Sequence, residues 1–155
     1  MDPYVLARVF HVLAVVHWIG GVAMVTLVIL PQMRSLPPAD RIATFEQLEG
    51  RFGAQAKLST LVAGLSGLWM LWLTDGWGLF LMPEYWWMHL MVAVWTIFSL
   101  VLFVLEPLFL HRWFHDRATR DPEGTFLLVL RLHRVLLVLS ALAVSGAVQG
   151  AHGGL

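Results

Sequence analysis

The 155-residue sequence contains no cysteine, and only 13% of its residues are charged. The absence of cysteine excludes disulfide bonds, thiolate metal sites, iron–sulfur clusters, cysteine nucleophiles and covalently attached c-type haem. Soluble domains carry about 25% charged residues, so the charge content is close to half of the usual value. Any metal or cofactor must therefore be held by His, Met, carboxylate or backbone groups, without a covalent tether.

The sequence also lacks an excess of charge of either sign, because ten Lys and Arg residues balance ten Asp and Glu residues. Proteins that bind nucleic acid usually carry a basic excess, so no nucleic-acid partner is expected. Hydrophobic residues make up 59% of the chain. This proportion argues against a soluble globule and against a disordered tail, and it favours a membrane protein.

Four stretches of the chain have the length and composition of membrane-spanning helices, which need about 20 mostly apolar residues. They cover approximately residues 5–30, 54–73, 85–105 and 126–148. Short connections between them predict an all-α, integral membrane, antiparallel four-helix bundle that forms a single transmembrane domain over residues 1–155. The first stretch is too long and its start is not basic enough for a cleaved signal peptide, so it is expected to remain in the membrane.

The sequence leads to two further expectations, one for the end of the third span and one for the first loop. The third span is expected to end before Pro107, because proline interrupts helices. The first loop is expected to be about 20 residues long with a helical patch over residues 41–49. Ile42, Phe45 and Leu48 recur there at intervals of three residues, so the patch could lie on the inner membrane surface as an amphipathic turn.

The distribution of positive charge predicts the orientation of the spans. The first and third loops and their edges carry seven cationic residues, namely Arg34, Arg41, Arg51, Lys57, Arg112, Arg117 and Arg120. The second loop carries only the acidic residues Asp75 and Glu84. Because cytoplasmic loops are rich in Lys and Arg, the first and third loops are expected in the cytoplasm and both termini on the periplasmic, outer side. The expected location is the bacterial inner (cytoplasmic) membrane, crossed several times.

Ionisable side chains within spans are costly to bury and therefore mark candidate functional sites. Seven histidines and arginines lie within the spans, namely Arg8, His11, His17, His89, Arg131, His133 and Arg134. His11 and His89 are expected at similar depths near the outer surface, an arrangement that suits the two axial ligands of a non-covalent b-type haem. Arg8 lies three residues before His11 and could neutralise a haem propionate or an anionic substrate.

His17 and His133 are a second candidate ligand pair, so the chain could hold one haem or two. Arg131 and Arg134 would lie near the inner edge of that second site. Gly20 and Gly21 follow His17 and are expected to allow the close approach of another helix or of a flat macrocycle. The alternative interpretation is that the histidines form hydrogen bonds between helices and that Arg131, Arg134 and Lys57 extend to the inner lipid headgroups. Glu106, which precedes Pro107, is interpreted as a structural carboxylate at the end of a span.

A copper site is a further alternative. Met82, Met88 and Met91 lie close to His89 in the sequence. Thioether and imidazole ligands suit Cu(I), although methionine is also an ordinary filler of apolar helices.

Four segments resemble the copper-resistance D (CopD) and HemJ-like superfamily of membrane proteins. They are FHVLAVVHWIGG at 10–21, EGRF at 49–52 with LSGLWML at 65–71, WMHLMV at 87–92 and LHRV at 132–135. The resemblance implies an inner-membrane protein of four or more helices. The HemJ branch has a similar size and contains b-type haem proteins that oxidise protoporphyrinogen, and His11 matches the haem-ligand position of that branch. The CopD branch is associated with copper uptake or tolerance.

The sequence differs from the HemJ pattern at two places. Leu90 and Met91 stand where a lysine commonly follows the histidine of the third helix, and His17 replaces a small or apolar residue. Within the resemblance, these differences imply a redox or two-haem variant of the family.

The leading hypothesis is a membrane haem b protein that transfers electrons or oxidises a small or lipid-soluble donor, with enzymatic activity left open. Its expected partners are the lipid bilayer and a quinone or another membrane redox partner, and further copies of the chain are compatible with the sequence. Copper transport or tolerance is the first alternative, in which polar residues would step through the bilayer. The second alternative is an accessory subunit of a membrane redox complex.

Overall fold

The computed structural model describes residues 2–153, apart from the side chains of Ala39, Ile42, Glu46, Glu49, Arg51, Leu110 and His111. The expectations for the side chains of Ile42 and Arg51 therefore lie outside the described residues. Six α-helices are present, α1 (Pro3–Met24), α2 (Leu30–Met33), α3 (Pro38–Thr74), α4 (Trp86–Ser99), α5 (His111–Arg120) and α6 (Pro122–Ala151). Two short 3₁₀ segments, Gly76–Leu81 and Pro83–Tyr85, connect α3 to α4. Within residues 2–153 there is no β-strand.

Four helical segments are long and apolar enough to cross a membrane, which confirms the number of predicted spans. They are Pro3–Met33, Phe52–Thr74, Pro83–Phe109 and Pro122–Ala151. Many of their large apolar side chains are exposed, including Leu13, Leu65 and Val138. Lipid would cover such side chains at no cost, whereas water would not. The chain is therefore a multi-pass membrane protein.

Two π-helical segments interrupt the regular α-helical hydrogen bonding within spans. Val25–Ile29 joins α1 to α2, and Leu100–Leu110 joins α4 to α5 and contains Pro107. The expectation that the third span ends before Pro107 is therefore wrong. Proline clashes with the carbonyl four residues earlier in an α-helix, and the wider π register changes that geometry so that the helix can continue.

The expected first and third loops are mostly helical. Helix α3 is continuous over 37 residues and ends at Asp75, whose φ of 49° is left-handed. Residues 41–49 are helical, as expected, but they are part of the continuous helix α3 rather than a separate turn. At about 1.5 Å per residue, α3 is about 55 Å long, whereas the hydrocarbon layer is about 30 Å thick. The N-terminal part of α3 therefore extends beyond the length needed for a span.

Most of the buried apolar residues among the described residues form two clusters. The end cluster consists of Leu30, Met33, Phe45, Phe126, Val129 and Leu130. The middle cluster consists of Ala14, Trp18, Ala63, Val94 and Phe98. Helix α1 packs along α3, and α4 packs along α6. The end cluster joins the end of the first span to the extended part of α3 and to the beginning of α6.

Close contacts between helices occur at glycines other than those expected. A Cβ added at Gly64 would lie 2.6 Å from the Trp95 ring, and one added at Gly146 would lie 2.7 Å from Trp87. A Cβ added at Gly20 or Gly21 would meet nothing within 4 Å. The expectation of a close helix approach at Gly20 and Gly21 is therefore wrong, and open space lies beside them.

A buried arginine joins three parts of the chain at the end cluster. Arg41 donates from Nε to the Leu36 carbonyl at 2.9 Å and from Nη2 to the Arg34 carbonyl at 3.0 Å. Its Nη1 forms an ion pair with Glu123, and its guanidinium lies 5.2 Å from the centre of the Phe126 ring. The sequence indicated only a loop cation at this position. The structure shows that it satisfies backbone carbonyls near the end of α2.

Candidate functional site

A cavity lies between the end cluster and the middle cluster. It has a volume of about 740 Å³ including its open side, and it receives residues from α1, α3, α4, α6 and both π-helical segments. Its aromatic walls are Trp18, Phe45, Phe52 and Phe98. Pockets for small molecules and cofactors typically have mostly apolar walls. π-helical segments also occur frequently at functional sites.

The structure brings His17 and His133 together at this cavity. His133 Nδ1 lies 2.9 Å from the Val129 carbonyl oxygen. Because a carbonyl only accepts, Nδ1 must donate, and the neutral ring then has its lone pair on Nε2. This arrangement is typical of metal-binding histidines, in which a backbone carbonyl holds the second ring nitrogen. His17 lines the same cavity, but it is an exposed residue, whereas His133 is half-buried.

His11 contacts α3 and does not line the cavity. Its Nδ1 donates to the Ala63 carbonyl at 2.8 Å and lies 3.3 Å from Ser66 Oγ. A Cβ added at Gly67 would lie 3.2 Å from His11 Cε1, so glycine provides the space for the imidazole ring. The interhelical hydrogen bond corresponds to the alternative interpretation of an intramembrane histidine, although Nε2 of His11 also keeps a lone pair.

His89 is exposed, and its ring packs edge-to-face against Phe80 with 5.3 Å between ring centres. The structure thus gives His11 and His89 different neighbours. Their pairing as haem ligands stays a prediction.

The three arginines expected near the haem sites are all exposed, and none of them lines the cavity. Arg8 lies nine residues before His17, which corresponds to about 14 Å along a helix. The cavity extends from His17 in the opposite direction, towards Ile29. Arg8 is therefore remote from this cavity. Arg131 and Arg134 are close to His133 in the sequence but outside the lining.

An intramembrane ion pair at the edge of the cavity was not identified from the sequence. Lys57 Nζ lies 3.2 Å from Glu106 Oε2, and each side chain is about one-third exposed. Glu106 Oε1 lies 4.0 Å from the position of a Cβ added at Gly53, a residue of the cavity wall. The sequence signal that could have revealed this pair is the presence of two opposite charges in otherwise apolar spans. The sequence interpretation treated Glu106 as structural and Lys57 as extending to the headgroups.

A second feature missed by the sequence interpretation is the indole nitrogen of Trp18. Trp18 lines the cavity, and its Nε1 is buried with no hydrogen-bond acceptor among the described residues. A buried donor without a partner is costly, so such a group at a cavity is consistent with a missing ligand or water.

The residues of the copper alternative have unlike surroundings. Met88 is buried, Met91 is half-buried, and Met82 and His89 are exposed. Adjacent positions such as Met88 and His89 point about 100° apart on a helix. Within the described part of the chain, no group of three or more His, Asp or Glu residues converges as a metal site. A haem needs fewer protein ligands, because its porphyrin supplies four nitrogens.

Comparisons of the chain with protein-family models, with curated proteins and with solved structures give no match.

Proposed function

We propose that this protein is a membrane haem b protein that binds its haem in the cavity between the two core clusters. The candidate ligands are His133 and His17. The observation that carries the proposal is their presence at one cavity, with the His133 ring held by the Val129 carbonyl so that Nε2 is free to bind iron. The resemblance to the HemJ branch supports haem b as the cofactor, but the haem-ligand position of that branch matches His11 rather than His133 or His17.

The cavity residues fit a flat apolar cofactor in three respects. The walls of the cavity are mostly apolar, as in other small-molecule sites. Gly21 lines the cavity one turn after His17, and a Cβ added there would meet nothing within 4 Å. The unpaired Trp18 N–H offers a donor to a polar group of the cofactor. Bound haem would supply one-electron chemistry, while the protein supplies ligands, burial and access.

The proposed activity is electron transfer with a quinone or another membrane redox partner, or the oxidation of a small or lipid-soluble donor. The cavity lies within the spans, where lipid-soluble molecules are concentrated. The Lys57–Glu106 pair places charge beside the cavity wall formed by Gly53. It gives the protein an ionisable group close to the proposed cofactor, and such groups within membranes commonly serve function.

Absorption spectra of the purified protein, oxidised and reduced with dithionite, test the proposal. We expect the sharp bands of a b-type haem, and we expect His133→Ala and His17→Ala to abolish or shift them. His152→Ala is the matched control. The Nδ1 of His152 bonds the Val148 carbonyl four residues earlier, as in His133, but His152 is exposed and outside the cavity.

Two outcomes would contradict this assignment. A colourless protein, purified from cells supplied with haem precursor, would exclude haem as the resident cofactor. Loss of the bands in His11→Ala or His89→Ala, with retention in His133→Ala, would instead support the outer pair predicted from the sequence.

We also propose that the four spans form an antiparallel bundle with both termini on the outer side of a bacterial inner membrane. The support is the positive charge of the first and third connections. Because the chain has no cysteine, single substitutions provide clean labelling sites. We expect a membrane-impermeant maleimide to label Leu81→Cys in intact cells, and Gln47→Cys only after lysis. The opposite pattern would reverse the orientation.

A further inference from the structure

One face of α5 forms a cleft that the haem proposal does not use. The cleft has a volume of about 620 Å³ including its open side and is lined by Trp113, Asp116, Arg117, Arg120 and Asp121. The first four of these residues occupy positions i, i+3, i+4 and i+7 of the helix, which places them on one side of it. Phe114 and Ala118 pack against the end cluster. The charged row therefore lies on a different face from the one that packs into the protein.

The cleft lies where the third span leaves the apolar layer. The span ends at Phe109, and α5 follows the π-helical segment directly. Trp113 comes four residues later, which is about 6 Å along a helix. The headgroup region extends about 5–8 Å from each face of the hydrocarbon layer. Helical side chains tilt towards the N-terminus, here back towards the bilayer, so Asp116 and Arg117 can reach this region.

The side chains of the cleft are partly arranged for a ligand. The Arg117 guanidinium lies 5.7 Å from the centre of the Trp113 ring, which directs it back along the helix towards the membrane. Asp121 Oδ1 accepts a hydrogen bond from the Gly124 amide at 2.9 Å and is therefore engaged in capping α6. The ion pairs in the described part of the chain are Arg41–Glu123 and Lys57–Glu106. Asp116, Arg117 and Arg120 therefore form no ion pair with another described residue and are available to bind a ligand.

We propose that this cleft binds the headgroup of phosphatidylethanolamine. Arg117, whose guanidinium lies back over Trp113, would bind the phosphate, because guanidinium groups donate paired hydrogen bonds to phosphate oxygens. Arg120, one turn further from the bilayer, would add positive charge to the cleft. Asp116 would bind the primary ammonium, whose three N–H groups need acceptors. Trp113 suits the interface, where tryptophan is enriched. Phosphatidylcholine lacks the N–H donors, and phosphatidylglycerol lacks the cation, so the charge pattern of the cleft favours phosphatidylethanolamine over both.

Native mass spectrometry of the protein, released from nanodiscs that contain equal parts of the three lipids, measures which lipid is retained. We expect phosphatidylethanolamine to be retained about threefold more than phosphatidylcholine, the effect of one exposed charge contact. Asp116→Asn should remove this preference and increase the retention of phosphatidylglycerol. The double variant Arg117→Gln with Arg120→Gln should lower the retention of both phosphatidylethanolamine and phosphatidylglycerol. Arg112→Gln is the matched control, because Arg112 is exposed on α5 but does not line the cleft.

Equal retention of phosphatidylethanolamine and phosphatidylcholine by the unmodified protein would overturn the proposal. So would a preference that survives Asp116→Asn, or a preference of the unmodified protein for phosphatidylglycerol. The circular dichroism of each variant should match that of the unmodified protein, since the substituted side chains are exposed. The readout is independent of haem, so its result does not depend on the proposed function.

Discussion

Phe126→Ala is expected to lower the free energy of unfolding by about 3–5 kcal/mol. Phe126 is 0% exposed and lies in the end cluster, between Leu30 of the first span and Phe45 of α3. Truncation removes the buried ring and leaves a cavity that helices on three sides cannot readily close. It also removes the ring that the Arg41 guanidinium contacts. Unfolding of the protein in detergent micelles by added sodium dodecyl sulfate, followed by circular dichroism, measures the change.

Leu127→Ala is the control for this prediction. Leu127 is the next residue of α6 but is 43% exposed, so its truncation leaves no closed cavity. We expect a change below about 1 kcal/mol in micelles, which cover exposed apolar side chains. Equal losses for Phe126→Ala and Leu127→Ala would show that the end cluster does not stabilise the fold.

Arg41→Met is expected to cost about 2–4 kcal/mol. The variant removes the donors that the Arg34 and Leu36 carbonyls use, together with the ion pair to Glu123. The methionine side chain keeps much of the apolar contact, so the loss reports mainly on the polar interactions. The same unfolding measurement applies. Arg41→Lys should recover little of the loss, because a single ammonium cannot reproduce the planar set of donors.

Glu123→Gln separates the ion pair from the contacts to the backbone. The Glu123 side chain is 56% exposed, and exposed ion pairs contribute about 0–1 kcal/mol. We therefore expect a small loss in this variant. A loss as large as that of Arg41→Met would mean that the ion pair dominates and that the carbonyl contacts matter little.

The spans could be predicted because their signal is local. A stretch of about 20 apolar residues is sufficient to identify a membrane helix, whatever its neighbours are. The same holds for the seven histidines and arginines within the spans, which stand out because burial of an ionisable group is costly. The helical continuation through Pro107 was missed, because the proline rule assumes α-helical hydrogen bonding. The π-helical segment Leu100–Leu110 does not follow it.

The glycines illustrate a different limit. Gly20 and Gly64 both follow the pattern of small residues that permits close helix packing. A Cβ added at Gly64 would collide with the Trp95 ring, whereas one added at Gly20 would meet nothing within 4 Å. The Trp95 ring is held in place by its Nε1, which donates to the Thr60 carbonyl at 2.9 Å. Whether a small residue marks a contact or a gap depends on which side chain the opposite helix presents at that level.

By itself the sequence determined the helical membrane class, the four spans, the chemistry available without cysteine and the small set of polar residues in an apolar chain. It did so because hydropathy, length and residue type are properties of short segments. Only the tertiary structure decided that His17 and His133 share a cavity while His11 contacts α3. It also decided that Lys57 pairs with Glu106 beside that cavity. Which side chains contact each other depends on the rotation of each helix about its axis. That rotation is determined jointly by the packing of the four spans and by the two π-helical segments.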